Sequence, residues 1–204
     1  MKKFELTAEY VTNIFGKKLF RIKALVEFGN VKEGDLGGFV EKESNIDDDC
    51  NAWVSGNAQV FGNAKISGNA QVFGNAQVFE NAQVYGNAWI SGNAQVYGNA
   101  CVAGSVQISE NAQVYGNACV AENLDYAIVG GFGSEQQTIT FFRQKDGSVG
   151  AKCGFFYGTL EEFRENVLET HGESKYAQEY LMIADLMELH FAGGSNGTED
   201  GKNQ

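Results

Sequence analysis

Residues 51–122 read, six at a time, NAWVSG, NAQVFG, NAKISG, NAQVFG, NAQVFE, NAQVYG, NAWISG, NAQVYG, NACVAG, SVQISE, NAQVYG and NACVAE. Twelve units follow one another without insertion. A fixed period this short signals a stacked repeat and leaves no helix or hairpin reading of the block. Within each unit a small residue, a variable residue and Val or Ile succeed one another. That is the two-residue period of a strand, with the first and third side chains on one side. The Gly-Asn between units supplies a corner, because both residue types tolerate the left-handed backbone of a tight turn.

Three such strands and corners make a triangular coil of eighteen residues, so the block predicts four coils, each stacked about 4.8 Å from the next. Val54, Val60, Ile66, Val72, Val78, Val84, Ile90, Val96, Val102, Ile108, Val114 and Val120 are the expected interior. The alanines beside them suit a prism too narrow for larger groups, and asparagines stacked at the corners can form amide ladders. The outward positions fall into columns. One face carries Gln59, Gln77, Gln95 and Gln113 beside Phe61, Phe79, Tyr97 and Tyr115. A strip of four stacked aromatics is a surface that soluble monomers seldom leave bare, and these eight residues are the candidate binding site. Its cover is the C-terminal part of the same chain, another subunit, or a foreign protein, since aromatics are favoured at interface hot spots.

The six-residue rule resembles that of the hexapeptide-repeat acyltransferases. The whole chain is more similar to bacterial and prophage-encoded hexapeptide proteins, through Leu19–Val40 ahead of the repeats and Cys153–Phe163 after them. The resemblance implies a left-handed parallel β-helix and, in the enzymes, a histidine general base on or beside the coils that uses acetyl coenzyme A. Only His171 and His190 are present, and neither lies in the repeats. No loop is extruded from the coils, and they hold a single lysine, Lys65, to meet the phosphates of the coenzyme.

The flanks extend this organisation. Residues 1–50 are expected as a β cap over one open edge of the solenoid. There Phe20, Ile22 and Ala24 alternate along a strand, and Asp35-Leu36-Gly37-Gly38 reads as a turn. Asp47-Asp48-Asp49 lacks the alternation and distal Glu of a Ca²⁺ loop and reads as a solvated turn. Residues 123–192 read as an α+β module with two or three strands followed by two helices. Gln137–Gln144 and Ser148–Phe156 flank the hairpin turn Lys145-Asp146-Gly147. Thr159 with Glu162 forms a capping box before a helix that buries Leu160, Phe163 and Val167. A second helix shows a stripe of Tyr176, Tyr180, Ile183 and Met187, with His190 along it, while His171 sits at the C-terminus of the first. Residues 193–204 are expected to be disordered.

Charge narrows the function. Residues 51–122 carry Lys65 against three glutamates, whereas residues 123–204 carry six basic and thirteen acidic side chains. With no basic stripe, direct nucleic-acid binding is disfavoured, and the acidic module points to a partner with a basic surface. Lys2 and Lys3 are not followed by an apolar run, and no stretch is long enough for a membrane span, so a cytoplasmic protein is expected. Cys101 and Cys119 lie one coil apart, near enough by Cα distance for a disulfide, but a cytosol argues for two stacked thiols. No cofactor or metal ligand set is expected. The reading is a non-catalytic interaction or scaffold protein, phage or prophage encoded, a homo-oligomer (dimer or trimer) that binds a host protein, in one form as an inhibitor of a host defence system. The alternative is an acyltransferase with an atypical base such as His171.

Overall fold

A computed structural model describes residues 2–192; the tail expected at 193–204 lies outside them. The chain divides into two compact units, Met1–Asn123 and Leu124–Gln204. The protein is mainly β, a β-solenoid of about five turns with a C-terminal two-helix module.

The first unit opens with β1 (Phe4–Thr12), β2 (Lys18–Ala24) and β3 (Leu36–Val40), paired antiparallel in that order. Twelve two-residue strands follow, one every six residues from β4 (Trp53–Val54) to β15 (Cys119–Val120). They assemble into three parallel stacks in which each strand pairs with the strand eighteen residues on, as Gln59 with Gln77 and Gln77 with Gln95. The alternation holds: every Val or Ile of the expected interior and every repeat alanine is buried, and Val106 takes the alanine place in the one divergent unit. At roughly 1.5–3 kcal/mol per buried aliphatic side chain, this filling is the main stabilising term.

Corners correct one part of the sequence reading. The left-handed residue is the glycine alone, with φ between 63° and 75° at positions such as Gly68, Gly86, Gly92 and Gly98. No asparagine of the repeats adopts it. The asparagines instead form amide ladders along the stack, Asn57 to Asn75 to Asn93 to Asn111 at 3.1–3.3 Å. Glu80 and Glu110 take the glycine place at φ 60° and 56°. Such a backbone costs a residue with a Cβ about 1–2 kcal/mol. At Glu80 the side chain offsets it, since Oε2 accepts the Gly98 N–H at 2.8 Å.

Parallel pairing begins before residue 51. Phe39 and Val40 of β3 pair with Gln59 and Val60, and Ile46 bridges Ile66. The offset is twenty residues at both places and eighteen from Trp53 on, so the two extra residues lie between Ile46 and Trp53, after a 3₁₀ turn at Glu43–Asn45. Asn45 is fully buried there, its amide donating to the Ala64 carbonyl at 2.8 Å. Lys3 meets another set of edge carbonyls, donating to Cys50 O at 2.8 Å and Ala52 O at 3.0 Å. Of the turn expected at Asp35–Gly38, Leu36–Gly38 belong instead to strand β3. Its glycines answer to packing: a Cβ at Gly37 would stand 2.4 Å from Ile22 Cγ1, and one at Gly38 2.7 Å from the Ala58 carbonyl.

The second unit is a four-stranded antiparallel meander, β16 (Tyr126–Val129), β17 (Ile139–Arg143), β18 (Val149–Cys153) and β19 (Phe156–Thr159), followed by α1 (Leu160–His171) and α2 (Lys175–Ala192). The sequence reading missed the outer two strands, and Phe156 belongs to β19. The capping box of Thr159 and Glu162 is present, with Thr159 N–H to Glu162 Oε2 at 2.7 Å. Leu160, Phe163 and Val167 pack with Ile139 and Phe141 and with Tyr180, Ile183, Ala184, Met187 and Phe191 of α2. Tyr176, expected in that stripe, is exposed in the first turn of α2, and Phe191 closes the stripe at its far end.

Corner stacking yields a direct test. At Gly86 φ is 73°, and an added Cβ would stand 2.8 Å from both the nitrogen and the oxygen of Gly104. Gly16 has φ 75° but nothing within 4 Å of such a Cβ. Gly86→Ala is expected to destabilise the solenoid by about 2–3 kcal/mol and Gly16→Ala by about 1 kcal/mol. Urea unfolding followed by tryptophan fluorescence separates them, because both tryptophans, Trp53 and Trp89, lie in the first unit.

Candidate interaction surface

The expected columns form. Gln59, Gln77, Gln95 and Gln113 are in register along one face. Beside them, Phe61, Phe79, Tyr97 and Tyr115 stack with ring centroids 4.9, 4.8 and 4.4 Å apart and interplanar angles of 2°, 10° and 28°. Phe79 and Tyr97 therefore spend both faces on their neighbours and turn only edges outward. Stacks of this kind add about 0.5–1.5 kcal/mol per pair beyond the area buried. Burial, with Tyr115 and Glu80 close by, pushes the Tyr97 phenol up to about 12.

The column is not uniformly open. Phe61 is 4% and Phe79 8% exposed, sealed by Leu19 and Val11 of the β1–β2 hairpin and by Phe39 of β3. Phe15, in the hairpin turn, sits 5.9 Å from Phe61 and 6.0 Å from Phe79. Cover for this half thus comes from the N-terminal hairpin of the same chain, a source the sequence reading did not consider. Tyr97 and Tyr115 stay half-buried, as do all four glutamines. The hairpin adds apolar surface of its own: Ile14 is 91% and Phe15 59% exposed. No sequence periodicity marks this turn, but two adjacent large apolar residues just before a Gly-Lys-Lys turn were a readable signal.

Glu41 fastens the hairpin. Both its carboxylate oxygens lie 3.0 Å from Lys17 Nζ, and Oε2 also accepts the Gly62 N–H at 2.6 Å. Glu41 thus does for the first corner what Glu80 does for the corner at Gly98. Burial pushes the Glu41 carboxyl up, but the Gly62 N–H and Lys17 outweigh it, and the group is held below its ordinary value. Nearby, the Arg21 guanidinium lies 4.4 Å above the Phe39 ring and donates to the Gly37 carbonyl at 2.8 Å.

His171 lies in the last turn of α1 with Tyr180 5.5 Å away, and His190 is edge-on to Phe191 at 4.9 Å; both belong to the second unit. Among the described residues no three His, Cys, Asp or Glu side chains converge to hold a metal. Asp47, Asp48 and Asp49 are a turn, with Asp47 accepting the Asp49 N–H and Asp48 near the Lys3 N–H. Of the described residues, no helix is long and apolar enough to cross a membrane. A second apolar surface lies on α2, whose outer face exposes Met182, Leu186 and Leu189 at 72%, 57% and 74%. The i, i+4, i+7 spacing of these three was legible in the sequence, and the stripe sits among Glu179, Asp185 and Glu188.

Glu41 gives a pH-dependent test. A carboxyl with a depressed folded pKa adds stability above its unfolded pKa, and that stability is lost as pH falls through the folded value. Glu41→Gln is expected to lower stability at pH 7 by about 1–2 kcal/mol. Urea midpoints of variant and parent should converge as pH falls below about 4.

A family model described as "YdcK Beta solenoid repeat" matches residues 94–110, a segment that spans the divergent unit at Ser105–Glu110. No curated protein matches the chain. The match agrees with the parallel stacking seen in the structure, and the chain is a β-solenoid repeat protein.

Proposed function

We propose that this is a non-catalytic interaction protein whose rigid solenoid displays apolar columns to a protein partner. On this reading the solenoid is a left-handed parallel β-helix of the hexapeptide type, and residues 1–50 cap its first edge. The observation that carries the proposal is the half-sealed aromatic column. The hairpin covers Phe61 and Phe79 and adds exposed Ile14 and Phe15 at its turn, while Tyr97 and Tyr115 stay half-buried. A purely structural column would be covered along its length, and a site for planar ligands would leave ring faces free. Edges flanked by glutamine amides suit a protein surface, with Gln95 and Gln113 supplying directional hydrogen bonds.

The second unit supports a partner of opposite charge. Its helices carry seven acidic side chains against Arg164 and Lys175, and Arg164 is already engaged by Asp185 and Glu188. A basic host protein is the partner this surface fits, and inhibition of a host defence factor by a phage or prophage protein is one concrete form. Self-association into a dimer or trimer through the aromatic strip accompanies that role, in the cytoplasm.

Tyr97→Glu combined with Phe15→Asp tests the reading. Both sites are at least partly exposed, so the fold is expected to persist, with an unchanged circular dichroism spectrum. Sedimentation velocity is expected to show the parent oligomer reduced to monomer, and co-purification of a stoichiometric partner from a bacterial lysate lost. Unchanged assembly and unchanged capture would refute the strip as an interface. Binding of acetyl coenzyme A, lost in His171→Ala, would replace the proposal by the transferase reading.

A further inference from the structure

We propose that Cys101 and Cys119 form a two-coordinate site for a soft monovalent cation of the copper(I) or silver(I) class, held as a bis-thiolate across two adjacent coils. The two residues occupy the same outward position on β12 (Cys101–Val102) and β15 and are paired in register. Both are half-buried thiols, not joined by a disulfide. Their strands are locked together, with the Cys101 N–H donating to Ala118 O and the Ala103 N–H to Val120 O, each at 2.9 Å.

Geometry selects the ligand. Side chains in register on parallel strands leave the sheet in the same direction, so their Cβ atoms stand about one strand spacing apart, roughly 4.8 Å. A disulfide needs Cβ atoms about 3.8 Å apart and sulfurs about 2.05 Å apart. Closing one would draw two coils together by about 1 Å against the backbone ladder. An ion between the sulfurs removes that conflict. With metal–sulfur bonds of about 2.3 Å, two sulfurs on opposite sides of one ion lie up to about 4.6 Å apart. Thiolates select soft ions. Since no third His, Cys, Asp or Glu joins the pair among the described residues, the four-ligand shell of zinc and the oxygen shells of calcium and magnesium are not provided. What remains is the class satisfied by two soft ligands.

Tyr85 supports the pair. Its phenol oxygen accepts from Cys101 Sγ at 3.3 Å. Once the sulfur is a thiolate the direction reverses, and the phenol O–H donates to it. The reaction involves no redox change: two S–H bonds release two protons to solvent, two metal–sulfur bonds form, and the bis-thiolate complex carries one negative charge. Affinity therefore falls as pH falls.

The test is silver(I) titrated into the full, reduced chain against a competing chelator, read by native mass spectrometry. One silver per chain is expected to be retained, and retained equally in a Cys50→Ala, Cys153→Ala double variant. Cys101→Gln and Cys119→Gln use the residue that stands at position 83 of the same column, so the fold is kept, as a thermal melt will verify. Each is expected to lose affinity about 100-fold, and Tyr85→Phe about tenfold. Wild-type affinity in both glutamine variants would overturn the site. A Cys101–Cys119 disulfide formed under mild oxidation with no loss of stability would overturn it too, because the coils would then approach more closely than a bridging ion requires.

Discussion

Everything in the first unit depends on one requirement: the chain must return, eighteen residues later, to a point one strand spacing away. Each coil meets it by turning three corners, and each corner turns through a single left-handed residue. The corners of successive coils then lie so close that a Cβ at Gly92 would stand 2.8 Å from the backbone nitrogen of Glu110. Glycine is thus favoured twice over at these corners, by conformation and by contact. Where glutamate replaces it at position 80, the carboxylate takes the Gly98 N–H that the corner leaves without a coil partner, a charge-assisted bond that offsets the backbone cost.

The same return explains the surface. A repeat that stacks in register cannot place one aromatic on its exterior without the chance of a column, because the equivalent position recurs directly below. Stacking makes such a column cohesive but leaves its edges wet. The hairpin of β1 and β2 resolves this for Phe61 and Phe79, and Glu41 holds it there through Lys17 and Gly62. The first coil carries a parallel burden: Phe39, Glu41 and Asp47 donate backbone N–H groups to Ala58, Val60 and Ile66, and the carbonyls of Ala52 and Ala64 need other donors. Lys3 and Asn45 supply the missing donors from side chains, which is why two polar residues are buried in an otherwise aliphatic unit.

How much of this was legible follows from the range of the interactions. The interior valines, the three faces and the aromatic column are consequences of a period, and a period is written in the sequence. The capping box of Thr159 and Glu162 is local in the same way. What could not be read were contacts without period or proximity. Phe15 over Phe61 and Phe79 joins residues far apart in the chain with nothing to announce it. Gly37 and Gly38 read as a turn because glycine pairs usually do, whereas in the structure they make room for Ile22, Val54 and Ala58. Tyr176 failed as a core residue because it stands in the first turn of α2, where no neighbouring turn completes its face; Phe191, one turn beyond the expected stripe, took its share.

A framework so regular varies most easily in what its columns display. Identical residues on one column are set at a spacing fixed by the backbone, not by the side chains. For aromatics that spacing is the stacking distance, so the inner rings use one another's faces and turn their edges outward beside the glutamine amides. For cysteines it is too wide for a bond between sulfurs and wide enough for one ion between them. The solenoid thus acts as a ruler of about 4.8 Å, and what each face can recognise is decided by which side chain the sequence repeats along it.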